Sequence, residues 1–256
     1  MSEWNPQQYL RFADQRRRPA IDLLARIGLD APRRVYDLGC GAGNVTRLLA
    51  ERWPAARVTG VDSSRAMLDK ARTEAPAIEW IEADLSTWRP DLPPDLIYSN
   101  AALHWLDDHR RLFPALFRSL APGGTLAVQM PRNHQAQSHT GMAEAARSGP
   151  WRAKLEPLLR ESPVMAPAGY YDIFAAEGVR ADIWEVEYLQ LLEGEDAVVE
   201  WTKGTALKPL LDALEEPERG RFLADYKARM RAAYPRRADG ITLFPFRRLF
   251  IVATRP

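Results

Sequence analysis

The stretch Val35-Tyr36-Asp37-Leu38-Gly39-Cys40-Gly41-Ala42-Gly43-Asn44 decides the reading of this chain. Apolar residues around an acid run straight into glycines at 39, 41 and 43. This predicts a short buried strand, a tight loop and a helix opening near Asn44. Glycine removes the side chain where a backbone must turn sharply and lie close to a ligand. The spacing is G-x-G-x-G. A dinucleotide fingerprint, G-x-G-x-x-G, would need its third glycine at Asn44, so the loop departs from that pattern.

Working outward, a helix is expected over 44–53, followed by the apolar run Arg57-Val58-Thr59-Gly60-Val61-Asp62. Asp62 lies roughly 20 residues beyond the loop, the distance at which a βαβ unit returns to the same sheet edge. A carboxylate there can accept both hydroxyls of a ribose. A helix over 65–74 leads to a third strand, 78–82, ending at Ala83-Asp84-Leu85. A fourth strand, 95–100, is followed by Ala101-Ala102-Leu103-His104-Trp105-Leu106, and a fifth, 124–130, follows the turn at Pro122-Gly123-Gly124. Asp37, Asp62, Asp84 and Asn100 thus fall at the carboxyl ends of successive strands, the edge where open parallel sheets bind ligands.

This ordered series resembles the S-adenosylmethionine-dependent class I methyltransferases over about residues 30–130. The resemblance implies an α/β, Rossmann-like fold: a seven-stranded, mostly parallel sheet with an antiparallel last strand and a helical lid or insertion. It implies S-adenosylmethionine as cofactor and S-adenosylhomocysteine as product. By the family's pattern Asp37, Gly39, Cys40 and Gly41 line the methionine and ribose portions, and Asp62 takes the ribose hydroxyls. Ser63 and Met67 flank the adenosine, Asp84 and Leu85 sit at the adenine, and Asn100, Ala101 and Trp105 line the cleft towards the reacting methyl.

Both ends of the chain narrow the resemblance. Trp4-Asn5-Pro6-Gln7-Gln8-Tyr9, Arg16-Arg17-Arg18-Pro19, Ala127-Val128-Gln129-Met130-Pro131, Tyr170-Tyr171-Asp172-Ile173 and Arg248-Leu249-Phe250-Ile251 are similar to the trans-aconitate 2-methyltransferase family. That family esterifies one carboxylate of trans-aconitate, which implies a small tricarboxylate as substrate. Three negative charges in a cleft need cations, and an arginine fork takes a carboxylate in two hydrogen bonds. The matching candidates are Arg16, Arg18 and Arg248, with Tyr9, Tyr170, Tyr171 and Trp201 as hydrogen-bonding or aromatic walls; Arg16 or Arg18 can equally hold the methionine carboxylate. The alternatives are another small-molecule methyltransferase, acting on a different carboxylate, carbon or nitrogen, and a non-catalytic cofactor-binding protein.

A carboxylate is ionised at neutral pH, with a reference pKa near 4, so its methylation needs no general base. The protein's work is alignment, with reacting atoms about 3 Å apart, and removal of water. No residue is therefore assigned as catalytic; His104 and Trp105 are candidates for positioning, with His104 at the rim or on the substrate.

Composition agrees with such an enzyme. The 256 residues carry 35 basic and 34 acidic side chains, a net charge of +1, which argues against nucleic acid as partner. No apolar run suggests export or a membrane span, so a cytoplasmic protein is expected. The one cysteine, Cys40, excludes an internal disulfide framework, and its place among glycines favours small size over nucleophilic reactivity. No metal site is expected. Arg16-Arg17-Arg18 reads as a solvated helix face rather than a nucleic-acid patch. The expected organisation is one domain, 1–256: a helical cap over 1–30, a cofactor-binding core over 31–131, and a carboxyl-terminal part with a helical insertion at about 195–235. Residues 132–167 read as loop and short helices, 170–178 as a helix, 181–192 as a strand, and 248–253 as a last strand.

Overall fold

Seven strands form one sheet in the order β3-β2-β1-β4-β5-β7-β6 in a computed structural model that describes residues 13–256, with side chains from Arg17 onward. A helix, α1 (Ala13–Ala25), comes first. Then follow β1 (Arg34–Leu38), α2 (Asn44–Arg52), β2 (Arg57–Asp62), α3 (Arg65–Glu74), β3 (Glu79–Glu82), β4 (Leu96–Asn100), a 3-10 turn (Leu103–Trp105), α4 (His109–Ser119) and β5 (Thr125–Pro131). Strands β1 to β5 pair in parallel with one another. β7 (Ile241–Thr254) pairs antiparallel with β5, in register Gln129↔Phe250 and Pro131↔Arg248. The remaining elements are α5 (Gln137–Ser148), α6 (Arg152–Leu155), α7 (Pro167–Ala176), β6 (Asp182–Glu193), α8 (Ala197–Lys203), α9 (Lys208–Asp212) and α10 (Glu218–Ala233). The α/β fold with an antiparallel closing strand is the one expected. No helix among the described residues is long and apolar enough to cross a membrane.

The chain divides into two compact units, where the sequence reading has one domain with a single insertion. The first unit holds Arg16–Pro131, Pro163–Val186 and Arg248–Pro256. Its core joins strand residues Leu38, Val61, Ile97, Leu126 and Val128 to Phe113, Phe117 and Phe174 from helices α4 and α7. The burial of each such side chain contributes about 1.5–3 kcal/mol, and the continuous apolar character of β4 and β5 reflects cover on both faces.

The second unit takes in Arg132–Ser162 and Glu187–Arg247. On α10, Phe222, Tyr226 and Met230 fall four residues apart on one buried stripe. They meet the small face of α5, where a Cβ on Gly141 would lie 2.9 Å from Met230 Cε, and Tyr226 donates to the Ser138 carbonyl at 2.9 Å. The sequence reading has only loop and short helices over 132–167. Ser, His, Thr and Gly are weak helix formers, and α5 is held by that close packing instead. The last strand also begins well before 248, because Thr242, Phe244 and Phe246 alternate inward despite Pro245.

Candidate active site

Gly39, Gly41 and Gly43 all have positive φ (75°, 54° and 79°), so the loop after β1 takes a path that side-chain-bearing residues resist. Two amides, Gly39 and Cys40, donate to the Val61 carbonyl at 2.7 and 3.1 Å and pin the loop to β2. A Cβ on Gly39 would come within 2.0 Å of Ala102 Cβ, and one on Gly43 within 2.4 Å of the Trp80 ring. Trp80 and Ala102 are thus the walls that require glycine here.

Asp62 ends β2 and braces the same loop: its Oδ2 accepts the Gly41 N–H and its Oδ1 the Ser64 N–H, both at 2.8 Å. A carboxylate has about four acceptor sites, so two remain for the hydroxyls of a ligand. Asp37 is buried in β1 and accepts from Thr46 Oγ1 at 2.7 Å. Burial pushes its carboxyl up to about 7, with the Asp62 charge adding and the Thr46 hydrogen bond opposing. Burial, with Asp37 and Asp62 beside it, also pushes the Cys40 thiol up, which removes any thiolate nucleophile. Met67 lies against the loop, with its Cε 3.2 Å from where a Gly41 Cβ would stand, and Ser63 is exposed. Beyond β3, Asp84 is exposed and accepts the Ser86 N–H at 2.9 Å, which lowers its carboxyl, whereas Leu85 belongs to the apolar core.

The other half of the edge is made by β4, β5 and β7. Asn100 is half-buried, and its Oδ1 is buried with no hydrogen-bond partner among the described residues. Ala101 is strained at φ 53° and held by its N–H to the Gln129 carbonyl at 2.9 Å. The 3-10 turn then presents His104, half-buried, with its ring 4.7 Å from that of Trp105, which is 51% exposed. Arg248 is 3% exposed, and its Nη1 donates to Gln129 Oε1 at 3.3 Å. The sequence reading assigns no role to Gln129. Its signal is there, an amide inside the apolar run Leu126-Ala127-Val128-Gln129-Met130.

Two of the expected substrate residues are corrected. Tyr170 is fully buried: its hydroxyl contacts His109 Nδ1 at 2.6 Å and accepts from the Met165 N–H at 3.4 Å. His109 Nε2 lies 3.0 Å from the Leu103 carbonyl, so Nε2 carries the proton and Nδ1 accepts from Tyr170. Tyr170 therefore fastens α7 to His109 at the start of α4, and through it to the turn that carries His104, and is closed to a ligand. Trp201 is buried in the core of the second unit, against Phe244 and Phe246. Tyr171, by contrast, is 52% exposed, and Arg18 is exposed on α1. Tyr9 and the Arg16 side chain lie outside the described residues. In the second unit Asn133 is also missed by the sequence reading: its Oδ1 accepts the Arg247 N–H at 3.3 Å, and its buried Nδ2 has no partner among the described residues. No cluster of residues able to hold a metal occurs among the described residues.

A glycine loop, an acid closing β2 and the order β3-β2-β1-β4-β5-β7-β6 define a class I methyltransferase fold. The comparisons agree. Residues 35–124 match the family described as "Methyltransferase domain". The chain is 52% identical, over all of both chains, to the trans-aconitate 2-methyltransferase of Azoarcus sp. (strain BH72). It is 50% identical to the protein of that name from Streptomyces coelicolor, over 99% of this chain and 87% of that one. Among solved structures, a phosphoethanolamine N-methyltransferase of Haemonchus contortus bound to S-adenosylhomocysteine shares the fold with a TM-score of 0.55 and 18% identity, over 93% of this chain and 53% of that one. The chain belongs to the trans-aconitate 2-methyltransferase family.

Proposed function

We propose that this protein transfers a methyl group from S-adenosylmethionine to one carboxylate of trans-aconitate, giving the monomethyl ester and S-adenosylhomocysteine. The observation that carries the reading is the full-length likeness to proteins of that activity's name, at 52% identity, joined to a buried arginine, Arg248, in register with the carboxyl end of β5.

The residues present fit the cofactor. Gly39 and Gly41 leave the loop backbone bare, Asp62 keeps acceptor sites for ribose hydroxyls, and the Oδ1 of Asn100, without a partner among the described residues, suits an ammonium. Ser63 and Met67 would flank the adenosine, and Asp84, exposed beyond β3, would meet the adenine; Trp105 would close the cleft. When bound, S-adenosylmethionine supplies an electrophilic methyl on a sulfonium.

The chain's own residues supply placement. An acceptor carboxylate arrives ionised, so no side chain has to remove a proton. Arg248 anchors an anionic substrate, with Arg18 and Tyr171 as exposed candidates for the rest of it. Closure of the cleft strips water from the attacking oxygen, which raises its reactivity. The enzyme acts in the cytoplasm on a diffusible acid, with neither nucleic acid nor membrane as partner.

The test is transfer of a radiolabelled methyl group across a panel of di- and tricarboxylates, read as base-labile ester. Labelled ester from trans-aconitate in preference to cis-aconitate, isocitrate and citrate is the expected outcome. Base-stable product, or label on none of the acids, would refute it.

A further inference from the structure

Gln129 stands in a strand that is apolar on both sides of it, and it is fully buried. A buried amide is unfavourable unless both of its ends are hydrogen-bonded. The oxygen end is: Oε1 accepts from Arg248 Nη1 at 3.3 Å. A guanidinium can only donate, so the amide's orientation is fixed and its NH2 points away from that contact. That nitrogen, Nε2, is buried and has no partner among the described residues.

The sheet register explains why the position matters. Asn100 pairs with Gln129, and Pro131, two residues further along β5, pairs with Arg248. Side chains two apart on a strand, and those directly opposite on its neighbours, share a face. Asn100, Gln129 and Arg248 therefore leave one face of the sheet at the carboxyl end of β5. On that face the acceptor Asn100 Oδ1 and the donor Gln129 Nε2 are both buried with no partner among the described residues. Such groups do not stay unpaired without a reason.

We propose that Gln129 is a substrate-binding residue. Its Nε2 donates to a carboxylate of the tricarboxylate that does not react, while its Oε1 orients the Arg248 guanidinium onto the same carboxylate. This rests on the functional reading above and names the part of the substrate that the pair recognises. The assignment to a non-reacting carboxylate follows from charge. The carboxylate that takes the methyl loses its charge as it becomes an ester. An arginine held to it would stabilise the ground state more than the transition state and slow the reaction. A carboxylate that keeps its charge throughout is bound equally well in both. The Gln129–Arg248 pair thus selects acids that carry an extra carboxylate beside the methylated one, and it acts on KM rather than kcat.

Two variants test this. Gln129→Glu keeps the shape and the acceptor for Arg248 but replaces the donor with an anionic oxygen; Gln129→Met keeps the volume and removes both polar ends. For each, KM for trans-aconitate is expected to rise by about ten- to a hundredfold or more, the range of one hydrogen bond to a charged group, with the glutamate worse. The kcat is expected to hold within about threefold. Calorimetric titration should show trans-aconitate binding to the S-adenosylhomocysteine complex weakened in parallel, with affinity for S-adenosylhomocysteine itself unchanged. With a dicarboxylate that lacks the recognised group, wild type and Gln129→Met should converge.

An equal penalty on tri- and dicarboxylates, a loss confined to kcat, or weakened S-adenosylhomocysteine binding would overturn the proposal. If neither variant folds, a crystal of the wild type with trans-aconitate and S-adenosylhomocysteine decides: a carboxylate oxygen about 3 Å from Nε2 sustains the assignment, and any other partner there removes it. A wild type active on trans-aconitate with indifferent Gln129 variants defeats this proposal alone. A wild type inactive on trans-aconitate defeats the functional reading and this proposal with it.

Discussion

At the ends of β1 and β2 the polar groups of the carboxyl edge are already paired: Asp62 accepts from Gly41 and Ser64, and Asp37 from Thr46. At the ends of β4 and β5 they are not, since Asn100 Oδ1 and Gln129 Nε2 are buried without partners among the described residues. The first half holds its shape with its own hydrogen bonds, so a ligand finds it preformed. The second keeps hydrogen-bonding capacity in reserve, at a cost in stability that a ligand relieves. Changes on the paired side should therefore disturb the fold and the cofactor together, and on the unpaired side a change at Gln129 should act on the acceptor while one at Asn100 acts on the cofactor's ammonium.

The largest expected effect comes from closing the preformed half. Gly39→Ala combines a positive φ with a Cβ that would sit 2.0 Å from Ala102 Cβ, so the loop and the segment after β4 must move apart. Turnover is expected to fall by more than about a hundredfold, the scale of a displacement of roughly an ångström, and the thermal midpoint should drop. Gly123→Ala sharpens the test: it has the same φ, 76°, with nothing within 4 Å. It should show only the strain of about 1–2 kcal/mol, with activity intact. Equal losses in the two variants would mean that conformational strain, not the fit against Ala102, sets the requirement.

Next is the brace. Asp62→Ala leaves the Gly41 and Ser64 amides without their acceptor and removes the carboxylate offered to a ribose. Affinity for S-adenosylhomocysteine by calorimetry is expected to weaken about thirtyfold or more, from hydrogen bonds to a charged group at about 1.5–3 kcal/mol each. KM for the acceptor should move little. A variant weakened on the acceptor alone would break the division between the two halves.

That division also tracks what was legible beforehand. The cofactor half is local: Asp37 to Gly43 is one unbroken run, and Asp62 and Asp84 recur at the spacing of βα units, so one dimension carries them. The acceptor half is assembled across 119 positions, with Gln129 on β5 meeting Arg248 on an antiparallel strand. No periodicity links those two residues, and a glutamine in an apolar run signals a buried amide without saying what it faces. Tyr170 and Trp201 show the converse. An aromatic with a polar handle reads alike whether it lines a cleft or ties a core, and only burial with His109, or against Phe244 and Phe246, separates the cases. Helix α5 was hidden because tight packing against α10, not helix propensity, holds it.

Asp37 allows a smaller test, on stability. Burial pushes its carboxyl up to about 7 in the folded chain, against an ordinary value of 3.8. Between those two values the folded chain keeps a proton that the unfolded chain has lost, so this group's contribution to stability declines as pH rises through the window and levels off above it. Asp37→Asn removes the titration and keeps an acceptor for Thr46. Denaturant unfolding from about pH 4 to 8 should show the variant gaining on wild type as pH rises to about 7 and then running parallel to it. A constant difference would mean that the carboxyl is charged throughout, and that the paired half is held by that charge rather than by the hydrogen bond alone.

The smallest expected effect is at His104, the one imidazole on the turn that follows β4. If the second half works by placement, His104→Gln should lower kcat by less than about tenfold and leave the shape of the pH–rate profile unchanged, because an ionised acceptor gives it no proton to remove. Glutamine keeps a donor and an acceptor, so a rim or binding role survives the change in large part. A loss beyond about a hundredfold, with the acid limb of the profile gone, would instead mark a general base. The acceptor would then have to be a group that carries its proton into the site, an alcohol or an amine. The contrast between a preformed half and a waiting half would remain, but the waiting half would be built to deprotonate its ligand rather than to hold an anion.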